Sequence, residues 1–343
     1  MKKYYGEQLN PKNEFRSQYE NSLTAFVDEK LANSSEQRKA FMSPSEYKAN
    51  PQRFYNEFVK QMGFPLNTPL QAPKLISKTL WTRDGNVNVY RVQLQLLGSI
   101  KFYGLYFEQT FDKEQAPFII ACHGKEGTPE LCSSIYMDSS NYNHMVRRAT
   151  DRGANVFVPQ TLTWSENFYE ELYDRTSLDG KLRQLGGSIT ALEVACLSSS
   201  ITYFIENENV NADKIGALGL SYGGMFTTYL TAFDKRVKGA FACSWFNSTN
   251  VLSRFPDWCH FNGANTFGVG EISALICPRP FAVAMGDKDQ IFDSKLTLKE
   301  GERVKEFYRE FGLDKNFLCY EFNGYHEFDK GDTGLDFLFK HIG

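Results

Sequence analysis

The run Ile215-Gly216-Ala217-Leu218 leads straight into Gly219-Leu220-Ser221-Tyr222-Gly223-Gly224, an apolar stretch followed by a Gly-x-Ser-x-Gly pattern. Few folds use such a sequence, because it asks a strand to break sharply into a helix. The residue at that corner has strained dihedrals, and its neighbours must lack side chains for the chain to fold back without collision. The pattern predicts a hydroxyl raised above a sheet edge, with a helix starting behind it. The backbone N–H of Tyr222 would then face a space where negative charge can be held. A plain Gly-Ser turn accounts for the same glycines, so the flanking sequence has to decide.

The flanks alternate between short apolar runs and amphipathic ones. Phe118–Cys122, Asn155–Val158, the Ile215 run, Lys238–Cys243, Phe281–Met285 and Phe317–Phe322 read as buried strands. Between them, 182–204, the stretch from Ser221 through Leu230, 298–311 and 334–341 carry helical spacing. Such alternation predicts an α/β fold, a mostly parallel doubly wound sheet covered on both faces. Before it, Val87–Leu94 and Lys101–Phe107 alternate with period two after an Asp84-Gly85 turn signal, and predict an antiparallel edge. Residues 1–72 differ, being polar and rich in helix formers, with helix starts at Ser43-Pro44 and Asn50-Pro51. They read as a helical N-terminal extension on a catalytic domain spanning 73–343.

At 343 residues the chain can bury one large core plus a small appendage. A net charge of −3 and a pI near 6.0 offer no footprint for nucleic acid, and no basic run suggests an anionic membrane surface. No stretch reads as a membrane span, and the lysines after Met1 are not followed by the apolar segment of a secretory signal. Seven cysteines form an odd, scattered set without a Cys-x-x-Cys pair, which points to reduced thiols in a cytoplasmic protein. Oligomeric state is not legible.

A serine at neutral pH needs a base within hydrogen-bond reach and a carboxylate to orient that base. Of five histidines, His326 follows directly on the last predicted strand, where the carboxyl ends of parallel strands converge. The acid should follow another strand end, and Met285-Gly286-Asp287-Lys288-Asp289 offers both Asp287 and Asp289. A second oxyanion donor is expected from Cys122-His123-Gly124-Lys125, with Gly124 or Lys125 presenting the amide and His123 shaping the loop. Cys259-His260 lacks a second cluster with zinc spacing.

These motifs, Gly219-x-Ser221-x-Gly223-Gly224, His123-Gly124, Gly286-x-x-Asp289 and Gly324-x-His326-Glu327, resemble the α/β-hydrolases in order and spacing. The run from Cys277-Pro278-Arg279-Pro280 to Phe292 is similar to the strand-and-acid segment of dienelactone hydrolase-like and acetyl xylan esterase-like members. The resemblance covers about residues 75–343 and selects Asp289 over Asp287. Dienelactone hydrolases proper use a cysteine where this chain has Ser221, which favours ester hydrolysis. It implies a serine carboxylesterase with a small-molecule ester as partner and no cofactor or metal, and the mix of aromatic and polar residues after Trp245 adds short acyl esters, acetylated sugars among them, as the expected substrates. It also implies a cap over the site at 245–275, where Trp245 and Trp258 would contact substrate and polar residues such as Asn247, Asn250 and Asp257 would line the pocket. A peptidase of the prolyl oligopeptidase type would need a propeller domain that 72 residues cannot build. A binding module on a dead hydrolase fold would be expected to have lost the serine, acid or histidine.

Overall fold

A computed structural model describes residues 14–111, 116–135, 141–163, 174–208 and 210–343. The first residues, on which the absence of a secretory signal was read, lie outside them. Among the described residues nine strands form one sheet: β1 (Lys74–Asp84), β2 (Val87–Leu96), β3 (Ile100–Gln109), β4 (Phe118–Cys122), β5 (Asn155–Pro159), β6 (Ile215–Leu220), β7 (Gly239–Cys243), β8 (Phe281–Gly286) and β9 (Phe317–Phe322). Their spatial order is β1-β2-β3-β5-β4-β6-β7-β8-β9. The first three strands pair antiparallel, β1 and β2 through the expected Asp84-Gly85 turn. From β5 to β9 every pairing is parallel.

Parallel strands covered on both faces must be apolar on both, and β4 to β8 are buried along their whole length. Side chains alternate between the two layers. Phe118, Ile120 and Cys122 of β4 enter one core, and Ile119 and Ala121 enter the other. The first core also takes Tyr47, Phe54 and Phe58 from the helices Pro44–Ala49 and Pro51–Met62. Both helices start where proline and a capping side chain predicted. Ser43 forms a capping box with Glu46, and Asn50 accepts from the Arg53 amide.

Two expectations are corrected. The helix read over 182–204 is two helices, Arg175–Gln184 and Ile189–Asn207. The chain turns at Gly186, φ +76°, where a left-handed glycine ends the first helix and Phe64 docks. The Phe64 amide donates to the Gly186 carbonyl, and a Cβ on Gly187 would lie 1.9 Å from the Phe64 carbonyl oxygen. The apolar spacing runs on across this break although only the second helix enters the core, since Leu178 and Leu185 are exposed. The second correction concerns membrane-span length. By length and composition the helix Ile189–Asn207 meets that test, yet it is mostly buried, with Val194, Leu197, Ile201 and Phe204 inside the core.

Candidate active site

The corner at Ser221 has the strained geometry its neighbours predicted. Ser221 has φ +58° and ψ −120°, between the end of β6 and the helix Tyr222–Phe233. Its amide donates to the Cys243 carbonyl at 2.9 Å, pinning the corner to the end of β7. A Cβ on Gly223 would sit 1.9 Å from the Cys122 carbonyl oxygen, so only glycine lets the helix start this close to β4. Met225 makes the first intrahelical bond back to the Ser221 carbonyl, leaving the Tyr222 amide at the exposed, positive end of the helix.

His326 and Asp289 come together from the loops after β9 and β8. His326 Nδ1 lies 2.8 Å from Asp289 Oδ2. The buried carboxylate is oriented in turn, since Asp289 Oδ1 accepts from the amides of Ile291 and Phe292 at 2.8 and 3.0 Å. Asp287 serves elsewhere, accepting from the Gly324 amide at 3.0 Å and closing the loop that carries His326. Ser221 and His326 line one cavity of about 250 Å³, with Lys125, Phe255, Trp258 and Phe292 among its walls.

His123 is fully buried below this cavity. Its Nε2 accepts the Thr161 amide at 3.1 Å, so Nδ1 carries the hydrogen and donates to the Gly124 carbonyl at 2.9 Å. Burial pushes its imidazole down from 6.5 to about 4, while the bond to Gly124 opposes that shift. A histidine with a depressed folded pKa stabilises the fold fully above its unfolded pKa and loses that contribution as pH falls toward the folded one. Between pH 6.5 and 4 the loss expected from His123 is on the order of 3 kcal/mol. Urea midpoints at pH 7.0 and 4.5 should differ more for the native chain than for His123→Gln. Equal differences would show that His123 does not carry the effect.

Several assignments shift. Gly124 and Lys125 were both candidates for the second oxyanion donor, but the Gly124 amide already donates to the Tyr142 hydroxyl at 2.9 Å. Lys125 lines the Ser221 cavity as well. Trp245, expected to contact substrate, is core. It is 1% exposed, does not line the Ser221 cavity, and packs so closely on the helix start that a Cβ on Gly224 would lie 2.6 Å from its ring. Trp258 does line the cavity. The polar residues of 245–275 are largely spoken for, contrary to the expected polar pocket. Asn247 is buried and donates to the Asp293 carbonyl, and Asp257 pairs with Arg175 at 2.9 Å.

Sequence reading missed Tyr142 and Arg175. Tyr142 sits in the polar stretch Asn141-Tyr142-Asn143, whose neighbours bond to the loop after β9, 184 residues away, and carries no local signal. Arg175 bridges Glu193 and Asp257, and Asp257 accepts from the Tyr222 hydroxyl at 3.1 Å. Burial works to lower the Arg175 pKa, and the two carboxylates outweigh it, leaving the guanidinium firmly charged. Burial first, then Asp257, pushes the Tyr222 phenol up and keeps it a donor. This network ties residues 245–275 to the residue after Ser221.

The sheet order, the strained serine corner and the converging loops define the α/β-hydrolase fold. Comparison with solved structures places it beside esterases of that fold. A glucuronoyl esterase from Solibacter usitatus superposes with a TM-score of 0.66 at 13% identity, covering 88% of this chain and 95% of that one. A "putative acetyl xylan esterase" from Bacteroides fragilis gives 0.63 at 13% identity, covering 88% and 84%. In sequence, the chain is similar to "Putative hydrolase YtaP" of Bacillus subtilis, 30% identical over 100 residues, which is 27% of this chain. The match spans about a third of that relative's length. No family model matches the chain.

Proposed function

We propose that the protein is a serine carboxylesterase for short acyl esters. The observation that carries the reading is the shared cavity. Ser221, on a strained corner at a helix N-terminus, opens into the same space as His326, whose far nitrogen is held by a buried, doubly hydrogen-bonded Asp289. In this reading Ser221 Oγ attacks the ester carbonyl carbon while His326 Nε2 takes the hydroxyl proton. Asp289 keeps the Nδ1 hydrogen of His326 in place and balances the imidazolium that forms. The amides of Tyr222 and Lys125 hold the oxyanion, each such donor contributing roughly 3–4 kcal/mol in measured cases. His326 returns the proton to the leaving alcohol oxygen. Water, deprotonated by His326, then releases the acid from the acyl-enzyme.

Cavity size supports the acyl class. At about 250 Å³ the space falls below the range of roughly 300–1,000 Å³ typical of drug-sized ligand sites, and Phe255, Trp258 and Phe292 are among its walls. Nitrophenyl esters from acetyl to decanoyl test this, with the highest kcat/KM expected between acetyl and butyryl. A specificity constant that climbs steadily to decanoyl would overturn the short-acyl assignment, and acetylated sugars assayed alongside would show whether the alcohol is a carbohydrate.

A further inference from the structure

Two of the cavities that meet residues 245–275 share one wall: Trp258 is the single residue, among those described, that lines both. The first holds Ser221 and His326. The second is about 260 Å³, with Leu31, Tyr229, Trp245, Leu252, Phe267 and Ile272 among its mostly apolar walls. The ring contacts of Trp258 divide the same way. Tyr222 at 4.8 Å, Phe255 at 4.5 Å and Phe292 at 6.0 Å line the first cavity, whereas Trp245 at 6.1 Å lines the second. The indole is 6% exposed and held between these rings.

We infer that Trp258 is a partition that sets the acyl-length limit, and that the cavity behind it is a latent extension of the acyl site. This rests on the esterase reading above. After the alcohol departs, the acyl group stays bonded to Ser221 Oγ, so the first cavity must house it through the second half of the reaction. Trp258 closes that cavity against a neighbouring apolar space of equal size. Joined, the two spaces fall within the range that accommodates drug-sized ligands. The backbone at this position is anchored independently of the indole, because the Tyr229 hydroxyl donates to the Trp258 carbonyl at 3.3 Å.

The test is the acyl series on the native chain, on Trp258→Ala, and on Trp258→Ala combined with Leu252→Phe. The native profile should fall beyond butyryl. In Trp258→Ala, kcat/KM should rise about fourfold for each methylene that enters the opened cavity, moving the optimum to hexanoyl or octanoyl. Adding Leu252→Phe refills the second cavity and should return the optimum toward short chains. An active Trp258→Ala with an unshifted acyl optimum would overturn the partition and leave the esterase reading standing. So would a shift seen only when the alcohol, at constant acetyl, is lengthened. Should Trp258→Ala fail to fold, Trp258→Leu carries the same comparison, with a smaller shift expected and an unshifted optimum again decisive. A native chain inactive on every ester would overturn both readings.

Discussion

Ser221→Ala is expected to abolish ester hydrolysis and covalent labelling by a fluorophosphonate, and to leave the fold intact. In the best-measured triad, losing the nucleophile costs about 10⁶ in kcat. Alanine keeps the Cβ and the backbone angles that Ser221 already adopts at φ +58°, and among the described residues the Ser221 side chain makes no capping hydrogen bond to the helix behind it, so thermal stability should barely move. The structure supplies an internal control. Ser244, at the end of β7, is also at positive φ, +50°, but is fully buried, and its hydroxyl donates to the Glu327 carbonyl at 2.9 Å. Ser244→Ala should keep its labelling. Labelling that survives Ser221→Ala would move the nucleophile elsewhere.

Asp289→Asn should lower kcat by about 10⁴, the loss seen when an amide leaves the triad histidine in the wrong tautomer. Asp289 Oδ2 receives His326 Nδ1, and an amide group there presents a donor to a nitrogen that must itself donate. Asp287→Asn should cost little in kcat. Its carboxylate is exposed and, among the described residues, bonds the Gly324 amide alone, which an Asn side-chain oxygen can still receive. Kinetics of the two variants on one short ester separate the roles. If Asp287→Asn suffers the larger loss, the orienting acid is Asp287.

The strand-to-helix corner could be read in the sequence because its signature is local: glycines flank a single serine after an apolar run. The contacts that demand them, Cys122 against Gly223 and Trp245 against Gly224, come from elsewhere in the chain. The buried parallel strands were readable for a similar reason, since a strand covered on both faces must be apolar throughout. His326 and Asp289 followed from topology, because parallel strands deliver their carboxyl ends to one edge. Other contacts between distant segments left no such trace. Helical spacing was read through Gly186-Gly187, where a left-handed Gly186 ends the first helix and Phe64 docks against the turn. Gly124 and Lys125 are equivalent as sequence, and a hydroxyl from Tyr142 distinguishes them. Trp245 and Trp258 are both aromatic residues in the same segment; one fills the core and the other walls the serine cavity. Sequence alone determined the elements whose signature lies within a few residues, namely the corner, the strands and the order of the chemical groups. Tertiary structure decided which of several like residues reach the cavity, because that depends on the space left after distant side chains have packed.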